Sequence, residues 1–502
     1  MAGVSKRYLL GCFTVAALLS LLLSLWGAFA TWIPNPDSIL YLRSAEHFAD
    51  GDWAQALTVY RWPFYSMLIA ATMKVAGLDA FLSAQVVNAV LAVGVSIAFI
   101  ALADLLTDGD RAVVFFATAL IVLQPQLTEL RPWVIRDHGY WCFLLLSVFL
   151  AVADNRRPSL LLKAALVASL LLATAFRIEG IYFAFLVAVY YLMTRIPETR
   201  HRVWVIVGAL VATLAALPAF SIWVTGNIED WAAGEFGMHI SDRAAMIGHR
   251  IDMLEKYVLF PGSGHGWYGY VGLVAAITLI GLIRALTPVH TILTFLSFFP
   301  RNLVPGKAAL PLIWFSAGQI PLLFLFAFVY AFLSWRHGMG FALIAMFGSV
   351  FLIATSWREL MNRRLRAFML FPTFCILSIG TWAFDLPRPL ATPQHRQAGE
   401  WIREHAPADA HIWMNDVLVA YYSGRTYNDI AGVARVLFHP EPRFVRDKAV
   451  DILVVTSDPQ ARIGDPPVAP AREPTATFTG EDGGVIDIYA LCPAMVACSP
   501  AE

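Results

Sequence analysis

Long apolar runs alternate with short polar segments along most of the chain. The runs have the length that an α-helix needs to cross a bilayer, about 20 residues. They fall at residues 8–30, 83–106, 112–128, 139–154, 159–176, 180–194, 203–224, 267–285, 309–333, 338–356 and 367–384. This pattern predicts a polytopic α-helical membrane protein with about eleven transmembrane helices.

The pattern changes after about residue 386, where Pro, Asp, Glu and Arg become frequent. It favours an amphipathic helix at 397–405 and short strands at 411–414, 451–455 and 484–489. The sequence therefore predicts two domains. A transmembrane module spans residues 1–386, and a small soluble α/β domain spans residues 387–502.

Composition supports the membrane assignment. Of the 502 residues, 58% are hydrophobic and only 14% are charged, whereas a soluble domain has about a quarter of its residues charged. A water-soluble fold has too few charges here to cover that much apolar side chain. The formal net charge is zero, so bulk electrostatics predicts no nucleic-acid partner.

The basic residues predict the topology, because cytoplasmic loops are enriched in Lys and Arg. With Lys6 and Arg7 in the cytoplasm, every second loop is basic. These loops contain Arg111, Arg156, Arg157, Lys163, Arg195, Arg200, Arg202, Arg284, Arg301, Lys307, Arg358, Arg363, Arg364 and Arg366. The pattern predicts a bacterial inner-membrane protein with a cytoplasmic N-terminus and a periplasmic C-terminal domain.

Arginines also occur in the predicted periplasmic loops, where they are normally rare. They are Arg43, Arg61, Arg131, Arg136 and Arg177, and acidic residues such as Asp137 and Glu179 lie among them. One interpretation is interfacial ion pairing, of Asp137 with Arg136 and of Glu179 with Arg177. The other is a shared anionic ligand, for which a lipid phosphate is the natural candidate.

The loop after the first span contains a carboxylate at the membrane surface. Pro34 and Pro36 end the first helix, and Asp37 directly follows them. Asp37 and Tyr41 are four residues apart and therefore share a face of the helix that follows. Asp37 is interpreted either as a simple N-cap of that helix or as a catalytic group.

Six short segments resemble motifs of one enzyme superfamily. Three lie in the first loop: DSILY at 37–41, FADGDW at 48–53 and RWPFY at 61–65. They resemble the first-loop motifs of GT-C glycosyltransferases, which take a sugar from a polyprenyl phosphate. Three more are RDHGY at 136–140, FRIEG at 176–180 and RLRAFMLFP at 364–372. These resemble the protein O-mannosyltransferase and lipid A aminoarabinose-transferase branch of that superfamily.

The resemblance implies an inverting sugar transfer from a polyprenyl-phosphate-linked donor to a hydroxyl acceptor of unknown class. Asp37 would be the general base. The residues that would bind the donor are Tyr41, Arg61, Tyr65, Arg136, Asp137, Arg177 and Glu179. The first catalytic loop would span residues 31–82 and the second periplasmic loop residues 225–266, and the bilayer would hold the donor's tail.

The sequence departs from the superfamily in one respect that concerns metal binding. Many members have a second acidic residue beside the basic residue of the first loop, and here that place is occupied by Tyr60. No metal ligand and no certain cofactor is therefore predicted, and a divalent metal stays open. Two other functions stay open as well: a flippase or transporter for lipid-linked sugars, and a non-catalytic membrane scaffold.

Overall fold

The computed structural model describes most of the helical part of the chain and four strands. The described residues are 5–30, 35, 37–195, 240–258, 264–298, 306–362, 365–384, 393–410, 412–414, 416–424, 452–457, 473–480 and 484–490. They form two compact units, which we describe separately. The first consists of Met1–Phe29 and Ala45–Pro387, and the second of Ala30–Ser44 and Arg388–Glu502.

Eighteen helices are described between Lys6 and Phe384. The first ten are α1 (Lys6–Ala30), α2 (Ser38–Asp50), α3 (Trp53–Val59), α4 (Phe64–Ala76), α5 (Ala80–Thr107), α6 (Arg111–Val122), α7 (Pro125–Leu130), α8 (Asp137–Arg156), α9 (Leu160–Phe176) and α10 (Glu179–Arg195). The others are α11 (Ile240–Tyr257), α12 (Gly266–Leu286), α13 (Pro288–Leu296), α14 (Gly306–Ala317), α15 (Ile320–Tyr330), α16 (Met339–Ala345), α17 (Phe347–Met361) and α18 (Leu365–Phe384). A 3-10 turn at Trp335–Gly338 precedes α16.

Within the described part of the chain, five helical segments are long and apolar enough to cross a membrane. They are Lys6–Ala30, Ala80–Thr107, Asp137–Arg156, Gly266–Leu286 and Ala308–Tyr330. A bent pair, Trp335–Ala345 and Phe347–Met361, makes a sixth if it is one broken span. The α-helical membrane architecture is thus present, while the number of eleven spans stays a prediction.

Several predicted spans correspond to shorter or interrupted helices. The run at 112–128 is divided between α6 and α7, and Pro125 begins the second of them. The runs at 159–176 and 180–194 match α9 and α10, which have 17 residues each. The predicted span at 203–224 lies outside the described residues.

Polar side chains determine where many of these helices begin. The carboxylates of Asp52, Asp79 and Asp110 accept backbone N–H bonds at the starts of α3, α5 and α6. Each satisfies donors that the first helical turn leaves without an intrahelical partner. Gly77 ends α4 in the left-handed conformation, with φ of +67°, that glycine adopts without steric cost.

The start of α8 packs very closely against the end of α9. A Cβ atom added at Gly139 would lie 2.3 Å from the ring of Phe176, so only glycine fits there. The Phe176 ring also packs edge-on against Phe64 at 5.1 Å and lies parallel to Phe143 at 5.9 Å. This aromatic contact determines which polar residues at the two helix ends meet.

A fully buried arginine connects α1 to the end of α7. The Arg131 Nη1 atom donates to the backbone oxygen of Ser20 at 3.1 Å and to the Ser24 hydroxyl at 3.3 Å. Burial lowers the pKa of the Arg131 guanidinium to about 10. Among the described residues it forms no ion pair, so serine and carbonyl oxygens alone solvate its charge.

The second unit contains a four-stranded mixed sheet with two helices, α19 (Pro393–His405) and α20 (Val417–Tyr422). Its strands are β1 (Ile412–Met414), β2 (Ile452–Ser457), β3 (Ala476–Thr479) and β4 (Val485–Ala490), in the order β1-β2-β4-β3. The β1–β2 pair is parallel and the other two pairs are antiparallel. Helix α19 and strands β1, β2 and β4 lie where the sequence predicts them, whereas β3 and α20 were not predicted.

The core of this unit is apolar, and the polar contact between Asp416 and His395 lies beside it. Ile402, Ile452, Val454 and Ile486 are fully buried between α19 and the sheet. The Asp416 carboxylate caps α20 by accepting from Leu418 N and Val419 N at 2.8 and 3.1 Å. Its other oxygen lies 3.1 Å from His395 Nε2.

The N-terminal part of the second unit contacts α20. Arg43, on α2, donates from Nη2 to the backbone oxygen of Ala420 at 3.4 Å. The division into units places residues 30–44, and with them Asp37 and Tyr41, with the C-terminal segment. The beginning of the first loop therefore belongs to the same compact unit as residues 388–502. These two segments are far apart in the sequence, so the sequence pattern did not predict this grouping.

Candidate active site

An arginine at the α9–α10 turn bridges two carboxylates in the first unit. Arg177 Nη1 donates to Asp137 Oδ1, and Arg177 Nη2 donates to Glu179 Oε1. Arg177 Nε reaches the same Glu179 oxygen at 3.1 Å. The side chains of Arg177, Asp137 and Glu179 are 9%, 4% and 22% exposed, so we call these three residues the buried triad.

Local backbone structure explains why the three meet. Arg177 caps the end of α9 in an extended conformation, which allows the chain to reverse before Glu179 begins α10. Asp137 begins α8, and the close approach of Gly139 to Phe176 brings that helix start to the end of α9. Acidic residues in the first turn also complement the positive end of each helix dipole.

The triad holds its arginine firmly in the charged form. Burial by itself would lower the pKa of the Arg177 guanidinium. The negative charges of Asp137 and Glu179 outweigh that effect and hold the pKa well above its usual range. Glu179 Oε2 is buried and has no hydrogen-bond partner within the described ranges. One acceptor of the triad is thus left for a further donor.

More basic side chains surround the triad. Arg136 precedes Asp137 and interacts electrostatically with both carboxylates. Arg336 and His337, in the turn Trp335–Gly338, also act on the Asp137 carboxylate. Sequence reasoning missed Arg336 and His337. The available signal was an adjacent Arg and His in a short turn between two apolar runs on the predicted periplasmic side.

The second half of the first loop lies against the same helix ends. The Trp62 indole donates to the backbone oxygen of Ala175 at 2.6 Å, two residues before Arg177. The Arg136 guanidinium lies over the Tyr60 ring, 5.7 Å from its centroid. Arg61, between those two aromatic residues, is exposed. The structure thus brings the turn at Arg61 to the side of Arg136 and the triad.

Tyr65 is placed differently from the other predicted ligands in this unit. It is fully buried, and its hydroxyl donates to Asn88 Oδ1 at 2.7 Å. Asn88 Nδ2 in turn donates to the backbone oxygen of Trp133 at 2.8 Å. Tyr65 therefore supports the loop before Arg136, and its predicted contact with a substrate stays a prediction.

Asp37 and Tyr41 belong to the second unit. Asp37 is half-buried and directly precedes Ser38, the first residue of α2. Ser38 N donates to the backbone oxygen of Asn35 at 2.9 Å, which closes the turn that presents Asp37. Tyr41 is 8% exposed. Both positions agree with the predicted helix start, and the catalytic role of Asp37 stays a prediction.

A metal site would need a cluster of His, Cys, Asp or Glu side chains. Across the described ranges, no three His, Cys, Asp or Glu side chains lie close enough together to hold a metal ion.

The buried triad gives a stability prediction. We expect Arg177→Gln to destabilise the protein by about 3–5 kcal/mol, because two buried carboxylates lose their counter-charge. The triple variant Arg177→Gln, Asp137→Asn, Glu179→Gln should recover a large part of that loss. The measurement is thermal unfolding of the purified protein in mild detergent. Arg157→Gln, which alters an exposed arginine, is the matched control, and equal midpoints for the two single variants would contradict the prediction.

Comparisons with known proteins give a likeness of overall structure. No protein-family model and no curated protein matches the chain. Among the solved structures that match, two are covered over nearly their whole length. They are crystal structures of ArnT from Cupriavidus metallidurans, in the apo state and bound to undecaprenyl phosphate. Identity is 12% and 13%, and 97% and 99% of this chain and 98% and 100% of those chains are covered.

The TM-score is 0.44 for both structures. Because identity and superposition are both low, we base the proposed function on the residues of this chain. The chain is thus similar, at low identity, to two structures of ArnT over nearly its whole length.

Proposed function

We propose that this protein is a membrane glycosyltransferase. It moves a sugar from a polyprenyl-phosphate donor to a hydroxyl acceptor at the periplasmic face of the bacterial inner membrane. Residues 1–386 form the transmembrane module, with the first catalytic loop at 31–82 and a second periplasmic loop at 225–266, and residues 387–502 form a periplasmic α/β domain. The observation that carries the proposal is the cluster of Arg136, the buried triad and Arg336 at helix ends.

The charge of this cluster suits a lipid phosphate. Three arginines, Arg136, Arg177 and Arg336, surround two carboxylates, Asp137 and Glu179, so the net charge is +1. Arg61 adds a further cation on the adjoining turn. A polyprenyl phosphate keeps its tail in the bilayer and its phosphate at the surface, where guanidinium groups bind it through charge-assisted hydrogen bonds.

The carboxylates of the triad have a supporting role in this proposal. Each is hydrogen-bonded to Arg177, so together they hold that guanidinium in one orientation. Glu179 Oε2 remains available to accept from a sugar hydroxyl. A fixed guanidinium loses less conformational entropy when it binds the phosphate, which favours the donor complex.

The reaction we propose is a direct displacement at the anomeric carbon. The acceptor hydroxyl oxygen attacks that carbon from the face opposite the phosphate, and its proton passes to the Asp37 carboxylate. The bond between the anomeric carbon and the phosphate oxygen breaks, and the phosphate leaves with its electron pair. Configuration is inverted, and the arginines stabilise the charge that develops on the leaving group.

The position of the charged groups supports a sugar-transfer function over the transport of a lipid-linked sugar. Transporters place substrate sites near the bilayer midplane, at breaks within helices. Here Asp137 and Glu179 begin helices and Arg177 ends one, so the cluster lies where a membrane-surface phosphate would be. A scaffold that only presents a soluble domain has no use for such a cluster. Sugar, acceptor and metal dependence are left open by this proposal.

The phosphate contact is tested at Arg61. We expect Arg61→Ala to weaken binding of undecaprenyl phosphate by about 1.5–3 kcal/mol, the range for a hydrogen bond to a charged group. Arg61→Lys should recover only part of the loss, because lysine lacks the planar fork. Binding is measured on purified protein in nanodiscs. Arg157→Ala is the control, and an Arg61→Ala protein that binds as tightly as that control would remove Arg61 from the site.

The general base is tested with Asp37→Asn. Asparagine caps helices about as well as aspartate but does not take up a proton as a carboxylate does. If Asp37 is the base, turnover falls at least ~100-fold, the low end for lost acid–base catalysis, while undecaprenyl phosphate still binds. Turnover is measured as transfer from a lipid-linked sugar donor extracted from a strain that lacks the gene.

The matched control for this experiment is Asp52→Asn. Asp52 lies in the same loop and caps α3 by accepting from Gln55 N at 3.0 Å. Its replacement should leave turnover unchanged. Near-normal turnover of Asp37→Asn would instead leave Asp37 as a helix cap, and the base would then have to be Asp137 or Glu179.

A further inference from the structure

A cavity that is separate from the buried triad lies at the start of α6. Its volume is about 710 Å³, within the range of ~300–1,000 Å³ typical of ligand pockets. It is lined by residues of α1, α6, α17 and α18. The cavity therefore lies at the end of α6 that begins with Arg111, away from the end that leads to the loop before Asp137.

Four aromatic rings form one wall of this cavity. Phe116 packs edge-on against Phe115 at 5.1 Å, against Phe371 at 5.7 Å and against Trp357 at 6.3 Å. Trp357 and Phe371 are 5.1 Å apart. Phe115 is 53% exposed and Trp357 is 36% exposed, so the wall presents a wide apolar surface to an occupant.

The other wall is cationic. Arg111 and Arg358 both line the cavity. Both carboxylate oxygens of Asp110 already accept hydrogen bonds. One accepts from Ala112 N and Val113 N, and the other accepts from Arg358 Nη2. Asp110 pairs with Arg358 and not with Arg111, so the two arginines and Asp110 together have a net charge of +1.

Arg111 itself has no carboxylate partner among the described residues. Its guanidinium lies over the ring of Tyr8, 6.0 Å from the centroid, and the Tyr8 hydroxyl donates to the Arg111 backbone oxygen at 3.2 Å. The contact with Tyr8 holds the side chain beside the cavity while its N–H donors remain exposed. Those donors are arranged to bind an anion.

We propose that this cavity binds one anionic glycerophospholipid. The lipid phosphate binds Arg111 and the donors of Arg358 that Asp110 does not use, and an acyl chain lies along the aromatic wall. An apolar chain joined to a phosphate matches a cavity that has one apolar and one cationic side. A zwitterionic lipid is disfavoured because its own cation would face the two guanidinium groups.

This site does not depend on the proposed sugar transfer. It involves neither Asp37 nor the triad, and a lipid bound there stabilises the helix packing of α1, α6, α17 and α18. Basic cavities between transmembrane helices on the cytoplasmic side are a recurrent location for anionic headgroups. The basic loops predict that Arg111 and Arg358 face that side.

Native mass spectrometry of the purified full-length protein tests the site. The probes are dioleoylphosphatidylglycerol, dioleoylphosphatidylcholine and undecaprenyl phosphate, each titrated separately. The wild type should retain one phosphatidylglycerol in preference to phosphatidylcholine. Arg111→Gln should lower the phosphatidylglycerol affinity about fivefold, the contribution of one basic side chain near an anionic lipid. Arg111→Lys should keep most of the affinity.

Two further variants separate the headgroup from the chain. Phe115→Ala should weaken both phospholipids alike, because it removes apolar surface and no charge. Arg157→Gln, at an exposed arginine that does not line the cavity, should leave both affinities unchanged.

Three results would overturn the proposal. The first is equal retention of phosphatidylglycerol and phosphatidylcholine by the wild type. The second is an equal loss in Arg157→Gln and Arg111→Gln, which would indicate a general basic surface. The third is a preference for undecaprenyl phosphate that Arg111→Gln abolishes, which would assign the cavity to the polyprenyl lipid.

Discussion

The bridge from Arg177 to Asp137 and Glu179 is the interaction on which the site depends. Two carboxylates that are largely buried would destabilise the fold strongly without a positive charge beside them. Arg177 provides it, and in doing so it joins the starts of α8 and α10 to the end of α9. The charge that keeps the two acids ionised is the same charge that would meet a lipid phosphate. In the proposed function, structural support and phosphate binding are thus combined in one guanidinium.

Packing makes this bridge selective. The contact of Gly139 with Phe176 brings α8 so close to α9 that Asp137 reaches Arg177, 40 residues away, rather than its own neighbour Arg136. Arg136 lies over the Tyr60 ring, which leaves its charge directed toward the loop that carries Arg61. The packing of α8 against α9 therefore decides which arginine bonds to Asp137.

Parts of this arrangement were predictable from the sequence. The apolar runs predicted most helices, and Arg177 with Glu179 was one expected pair. The partner of Asp137 was not predictable, because it depends on a glycine-to-ring contact between two helices. Arg336 and His337 were missed because a four-residue turn between apolar runs gives no periodic signal. The grouping of Asp37 with the C-terminal segment depends on long-range contacts, on which local sequence patterns carry no information.

The most direct measurement is mass spectrometry of lipid extracts and envelope glycoconjugates from a strain that lacks this gene. A periplasmic transferase that uses a polyprenyl-phosphate donor predicts two changes together. One polyprenyl-phosphate-linked sugar accumulates, and the same sugar disappears from one envelope acceptor. Unchanged amounts of every lipid-linked sugar and every envelope sugar would contradict the proposed function. Accumulation of a lipid-linked sugar on the cytoplasmic leaflet only, as determined with a membrane-impermeant label, would contradict it in favour of a flippase.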